Sequence, residues 1–182
     1  MVLAEPVVQQ AVNGIVLRAL RATGRFLLRV PLPLALTMLA LWGIVIWDLS
    51  AHSVTLPLPP SAFWVLAANL AHAPLFGVFT LFLAAVLLRE RGGAWPRPRV
   101  GPSALVIASA FGYGVLDEYH QSFTPGRDSS PLDVLTDLVS ALLVVWIVFY
   151  LDRPGANERG LLFRLCLGIA LCVATAALGF LS

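Results

Sequence analysis

Polar residues fall in clumps along this chain, and between the clumps run five long stretches with almost no charge. They cover roughly 32–49, 63–88, 103–121, 132–151 and 161–181. A hydrocarbon core ~30 Å thick takes about 20 residues at 1.5 Å each, so each stretch predicts one membrane-crossing helix. The second is longer than the span requires. Pro74 lies inside it, removes a backbone donor and should kink the helix, freeing the carbonyl of Leu70.

Ahead of the first stretch the pattern changes. Arg18, Arg21, Arg25 and Arg29 recur at spacings that put them on one stripe of a helix within 7–30. Leu17, Leu20, Phe26, Leu27 and Leu28 take the other side, which predicts an amphipathic helix suited to a lipid interface. A simpler role, a basic flank that orients the first span, fits the same residues. Pro31 and Pro33 separate the two helices, and the proline-rich stretch after Leu49 predicts an irregular connection. The first long apolar run, Leu32–Leu49, exceeds the apolar core of a cleavable signal and reads as a span.

Composition agrees with this class. Hydrophobic residues make up 59% of the 182 and charged ones 12%, with a mean hydropathy of +0.86. An ordinary soluble domain carries about 25% charged residues. The expected fold is therefore all-α: a polytopic bundle over 31–182, preceded by a basic segment over 1–30. All twelve basic residues are Arg. Eleven lie before the first span, in 89–99 or in 153–164, and Arg127 alone lies in the other connections. That asymmetry predicts a bacterial inner-membrane protein with a cytoplasmic N-terminus and an extracytoplasmic C-terminus. Trp47 and Trp64 outside, with Trp95 and Tyr150 inside, fit an aromatic belt.

The chemistry is concentrated in Gly112–Asp137, GYGVLDEYHQSFTPGRDSSPLDVLTD. Glu118 and Gln121 share one face of the third span, one turn from its outer end. Asp133 and Asp137 share a face in the first turns of the fourth. His72, beside Pro74, approaches the same level in a compact bundle. Ala110, Gly114 and Glu118 form a stripe of two small residues and an acid, which lets another helix come close. A charge at a helix centre costs roughly 2.5–3.5 kcal/mol on the insertion scale. Several on facing helices imply mutual pairing, a wet cavity or a ligand.

Each residue admits two readings. Glu118 is the leading acid/base candidate, or it hydrogen-bonds Gln121. His72 is a second catalytic candidate, or a satisfied core histidine. Asp133 is a third, or the charge that complements a helix N-terminus. Arg127 could clamp a phosphate or carboxylate, or pair with Asp128 or Asp133. Gln121 and Asp137 complete the ligand-binding set, Asp137 alternatively pairing with Glu118 or a cation. Asp117 and His120 point to a different face of the third span and are expected at the interface, while His52 receives no role. Cys166 and Cys172 serve as apolar filler.

No metalloprotease, nucleophile-elbow, phosphate-loop or nucleic-acid pattern occurs. No metal ligand or cofactor is assigned, although carboxylates with Gln could hold Mg²⁺ or Ca²⁺ through oxygen.

Taken in order, Gly114, Glu118 and Gln121, the turn Pro125-Gly126-Arg127, and Asp133 with Asp137 resemble the signature of the VanZ-like family. His72 with Phe76-Gly77, and WDLSAHS over 47–53, resemble its earlier motifs, so the likeness runs from about 40 to 145. Asp137 stands where that family usually has Asn, Ala141 near a usual Gly, and Asn69 where Lys is common. The tail over 153–182 looks peripheral to the motif. The resemblance implies a cell-envelope membrane protein linked to glycopeptide (teicoplanin) resistance, and it implies no particular reaction. The functional expectation is an outward-facing polar pocket that recognises or handles an anionic envelope lipid or cell-wall glycolipid. The alternatives are a hydrolase or transferase on such a lipid, and a proton- or cation-coupled transporter. Membrane lipids are the expected partners, and nucleic acid is not.

The charge asymmetry makes one prediction directly. Ser129→Cys should react with an impermeant maleimide in intact cells, and protection until lysis would reverse the orientation.

Overall fold

The structure, a computed structural model, describes residues 14–52, 62–127 and 129–181, side chains at 62, 63, 65, 91 and 179–181 excepted. Expectations for 7–13, for the prolines of 53–61 and for Asp128 fall outside the described residues. Among those described, six α-helices occur: α1 Ile15–Arg29, α2 Leu32–Ser50, α3 Ala62–Leu87, α4 Val100–Gln121, α5 Pro131–Leu151 and α6 Glu158–Leu181. A single 3₁₀ turn, Arg91–Gly93, lies between α3 and α4.

Five helices, α2 to α6, are long and apolar enough to cross a membrane. Their bounds sit within a few residues of those expected from the apolar runs. Proline sets two starts. Pro31 caps α2 with Pro33 in its first turn, and Pro131 opens α5 behind Ser130, whose hydroxyl accepts from Leu132 N at 3.2 Å.

The bundle is built around α3 and α5, which make its most extensive helix pair. α4 packs on both, α2 on α3 and α4, and α6 on α3 and α5. Phe76, Ile46, Leu88, Val106 and Ala110 form the dry centre. At Pro74 the neighbouring carbonyls receive side-chain donors from other helices. Ser140 Oγ donates to Ala73 O at 2.6 Å and Trp42 Nε1 to Leu75 O at 2.9 Å. Gly77 permits the first of these, since a Cβ there would lie 3.2 Å from Ser140 Oγ.

α1 leans its apolar side partly on the bundle. Leu17 is buried against Tyr150, Leu151 and Leu161, and Leu28 is buried too, while Phe26 and Leu20 stay exposed. Arg21 Nε donates to Leu151 O at 2.7 Å, and Arg89 Nη2 to Val30 O at 2.5 Å. Guanidinium groups thus cap the last carbonyls of helices at this end.

One expectation changes. Tyr150 is not an interfacial aromatic: it is buried, its hydroxyl bonds both the N and the O of Asn157 at 2.9 Å, and Arg164 stacks over its ring. The tail over 153–182, although peripheral to the motif, is part of the bundle. α6 packs along α3 and α5, with Thr175 Oγ1 2.7 Å from Thr136 Oγ1 and Asn69 Nδ2 donating to Ala176 O.

Candidate functional site

The polar centre lies where the last turns of α4 meet the first turns of α5, with α3 behind them. Glu118 and Gln121 project from α4, Asp133 and Asp137 from α5, and His72 from α3 beside Pro74. All five are buried. Two local features let them converge. Gly114 has no side chain, and a Cβ there would fall 2.8 Å from Asp137 Oδ2, so the carboxylate occupies the space that glycine leaves. The connection 122–130 turns back through Pro125-Gly126, with Gly126 at φ +78° and Arg127 N bonded to Thr124 O at 3.1 Å.

His72 stands between two acids. Its Nδ1 is 3.2 Å from Asp137 Oδ1, and its Nε2 is 3.8 Å from Glu118 Oε1. Phe76, one turn along, lies parallel to the imidazole and closes its inner side. Glu118 is held at both oxygens: Gln121 Nε2 donates to Oε1 at 3.2 Å and Ser130 N to Oε2 at 2.8 Å. The same Gln121 amide donates to Asp117 Oδ2 at 3.0 Å, and the Ser50 hydroxyl meets Asp117 Oδ1. Asp133 Oδ1 and Asp137 Oδ2 are buried without a hydrogen-bond partner.

Asp117 therefore belongs to the centre and not to the interface. It is 1% exposed. The expectation failed because successive residues on a helix diverge by about 100°, and the second face of α4 is covered by α2. The i, i+4 spacing of Asp117 and Gln121 was the available signal, with Ser50 the partner it lacked. His120 does leave the cluster, stacking on Trp47 with ring centres 3.7 Å apart.

Arg127 lies beside the end of α2. Its Nη2 donates to Leu49 O at 2.6 Å, capping α2, and its Nε is buried without a partner. No carboxylate among the described residues lies within ion-pair distance of it, Asp133 included. The centre thus holds four carboxyl groups against one imidazole.

On the flank of the bundle a groove of about 480 Å³ runs between α4 and α5. Phe111, Val115, Tyr119 and Val134 give it apolar walls, while Ser122, Ser129 and Ser130 surround its polar end, where Glu118 faces in. Chemically this is a carboxylate with a histidine behind it, reached from the side of the bundle.

The Gly114–Asp137 contact predicts a stability difference. Gly114→Ala should destabilise by about 1–3 kcal/mol, the usual range for forcing an atom into a packed site. Gly112→Ala, where nothing lies within 4 Å of the added atom, should be neutral or slightly stabilising. Thermal unfolding of both variants in detergent checks this, and equal losses would overturn the account.

No curated protein and no solved structure matches this chain. A family model described as VanZ/LLP1 does match, over residues 18–152. That range takes in nearly all of α1, the whole of α2 to α5, and with them every residue of the polar centre. The chain belongs to the VanZ/LLP1 family.

Proposed function

We propose that this protein handles an amphiphilic lipid of the bacterial cell envelope, taken sideways into the groove between α4 and α5. One observation carries the reading: an apolar groove open along the bundle's flank ends at a buried acid–histidine centre. Phe111, Val115 and Val134 suit a hydrocarbon tail, and the serines with Glu118 suit a hydroxylated or charged head group. Pockets of this kind, mostly apolar with a few convergent polar groups, are the usual form of ligand sites.

The head-group class follows from charge. A bare phosphate would meet Glu118 in the groove with three more carboxyl groups buried behind it, so an anionic lipid or glycolipid precursor needs a counter-charge beside it. The Arg127 guanidinium, with its Nε unpartnered, is one source. The inner membrane is the compartment, with the groove opening on its outer side, as the arginine asymmetry indicates. Handling a cell-wall precursor there would bring the protein into contact with glycopeptide action.

A second reading rests on His72. An imidazole oriented through Nδ1 by Asp137, its Nε2 turned to Glu118, is an acid/base arrangement. On this reading the protein is a hydrolase or transferase on the same lipid, with Glu118 and His72 moving the proton.

Native mass spectrometry of the detergent-purified protein should recover a co-purified anionic envelope lipid. Val115→Trp, which fills the groove, should lose it at least about tenfold. Leu105→Trp, exposed on the same helix outside the groove, should retain it. Retention by both variants, or recovery of no amphiphile, would overturn the lipid reading. If Glu118→Gln keeps the lipid but abolishes its turnover, the enzymatic reading stands; an absence of turnover in the wild type removes it.

A further inference from the structure

Three donors from three helices share one small volume. His72, Glu118 and Asp133 each offer a ligand atom, and these atoms all lie within 4.8 Å of one another. None is near another in sequence. α3 supplies the imidazole, the last turn of α4 the glutamate and the first turn of α5 the aspartate.

A second observation concerns Asp133. It is 4% exposed, and its Oδ1 is buried with no hydrogen-bond partner. A buried carboxylate oxygen without a donor is costly, of the order of 1–3 kcal/mol or more for a charged group, and native interiors rarely keep one. The first turn of α5 does not use it as a cap, because the Ser130 hydroxyl takes that position and accepts from Leu132 N. The carboxylate is left aimed into the cluster with nothing to bond.

From this geometry we infer that His72, Glu118 and Asp133 form a binding site for a divalent transition-metal cation, Zn²⁺ or Mn²⁺. The donor set fits such an ion. Imidazole nitrogen favours the transition metals over Mg²⁺ and Ca²⁺, and two carboxylates match the ion's charge. Bonds of about 2.1 Å place two ligands of a tetrahedral ion about 3.4 Å apart. The His72 Nε2 to Glu118 Oε1 distance is 3.8 Å, and with all three donors within 4.8 Å of one another no separation has to close by more than about 1.4 Å.

The surroundings fit as well. A metal-bound histidine commonly gives its other ring N–H to a carboxylate, which fixes the tautomer and orients the ring. His72 Nδ1 sits 3.2 Å from Asp137 Oδ1, leaving Nε2 for the ion. Glu118 Oε2 is steadied by Ser130 N and Oε1 by Gln121. Three protein ligands leave a position open, the pattern of reactive rather than purely structural metal sites. Because Glu118 also lines the groove, a cation there would supply the counter-charge that an anionic head group requires. Metal binding itself does not depend on the lipid reading, and it is measured without lipid.

The test uses the full-length protein in detergent, stripped with chelator and titrated separately with Zn²⁺, Mn²⁺ and Mg²⁺. One Zn²⁺ or Mn²⁺ per chain is expected, bound at least about tenfold more tightly than Mg²⁺. Asp133→Asn keeps the shape of a side chain that has no partner to lose, so it should fold normally and lose the ion. Asp137→Asn should weaken binding roughly 10–100-fold without abolishing it, the usual effect of altering a ligand's supporting partner. Nitrogen coupling to bound Mn²⁺ in pulsed electron paramagnetic resonance should be present in the wild type and absent in His72→Gln. Three results would each overturn the site: no stoichiometric ion in the wild type, undiminished binding by a folded Asp133→Asn protein, or equal affinity for Mg²⁺.

Discussion

Burying carboxyl groups among apolar helices is unfavourable unless each finds a donor, a proton or a counter-ion. The polar end of this bundle follows from how that demand is met. His72 is the one imidazole available to Glu118 and Asp137 at once. Gln121 shares its amide between Glu118 and Asp117, and Ser50 reaches Asp117 from α2. Remove the imidazole and the acids on α4 and α5 face each other across a gap with no mediator. The helix arrangement then exists largely to bring donors from α2 and α3 to acids on α4 and α5.

Backbone choices serve the same end. Pro74 sits two residues from His72, and side chains from α2 and α5 donate to the carbonyls beside it. Gly77 and Gly114 each clear room for a polar side chain from α5, Ser140 in one case and Asp137 in the other. Small residues in membrane bundles are usually credited with close helix packing. Here they also accommodate polar groups whose bonds cross between helices.

Much of this was legible in the sequence because the signals were local. Apolar runs located five spans within a few residues, since lipid length and helix rise leave little freedom. Glu118 with Gln121, and Asp133 with Asp137, announced shared faces by spacing alone. What spacing could not reveal was which neighbour covers the remaining faces. Asp117 points away from Glu118, and only the position of α2 makes that direction an interior one. Nor could spacing show that Arg127, one of whose readings was a pair with Asp133, instead meets the end of α2, where Leu49 O engages it. Tyr150 was misjudged for a similar reason, because the 152–157 connection folds back over its hydroxyl. In each case the missing information was a contact between segments distant in the chain.

The last helix has a consequence for biogenesis. α6 lies beyond the family match, yet Thr175 meets the buried hydroxyl of Thr136 on α5, and Asn69 of α3 reaches the carbonyl of Ala176. Before α6 docks, Thr136 lacks the hydroxyl partner that Thr175 supplies. Thr136 can satisfy itself in the interim by donating to Leu132 O within its own helix, at 3.0 Å. A bundle with α6 undocked would keep Thr136 satisfied within α5 but leave one side of α3 and α5 uncovered, and docking of α6 covers that side.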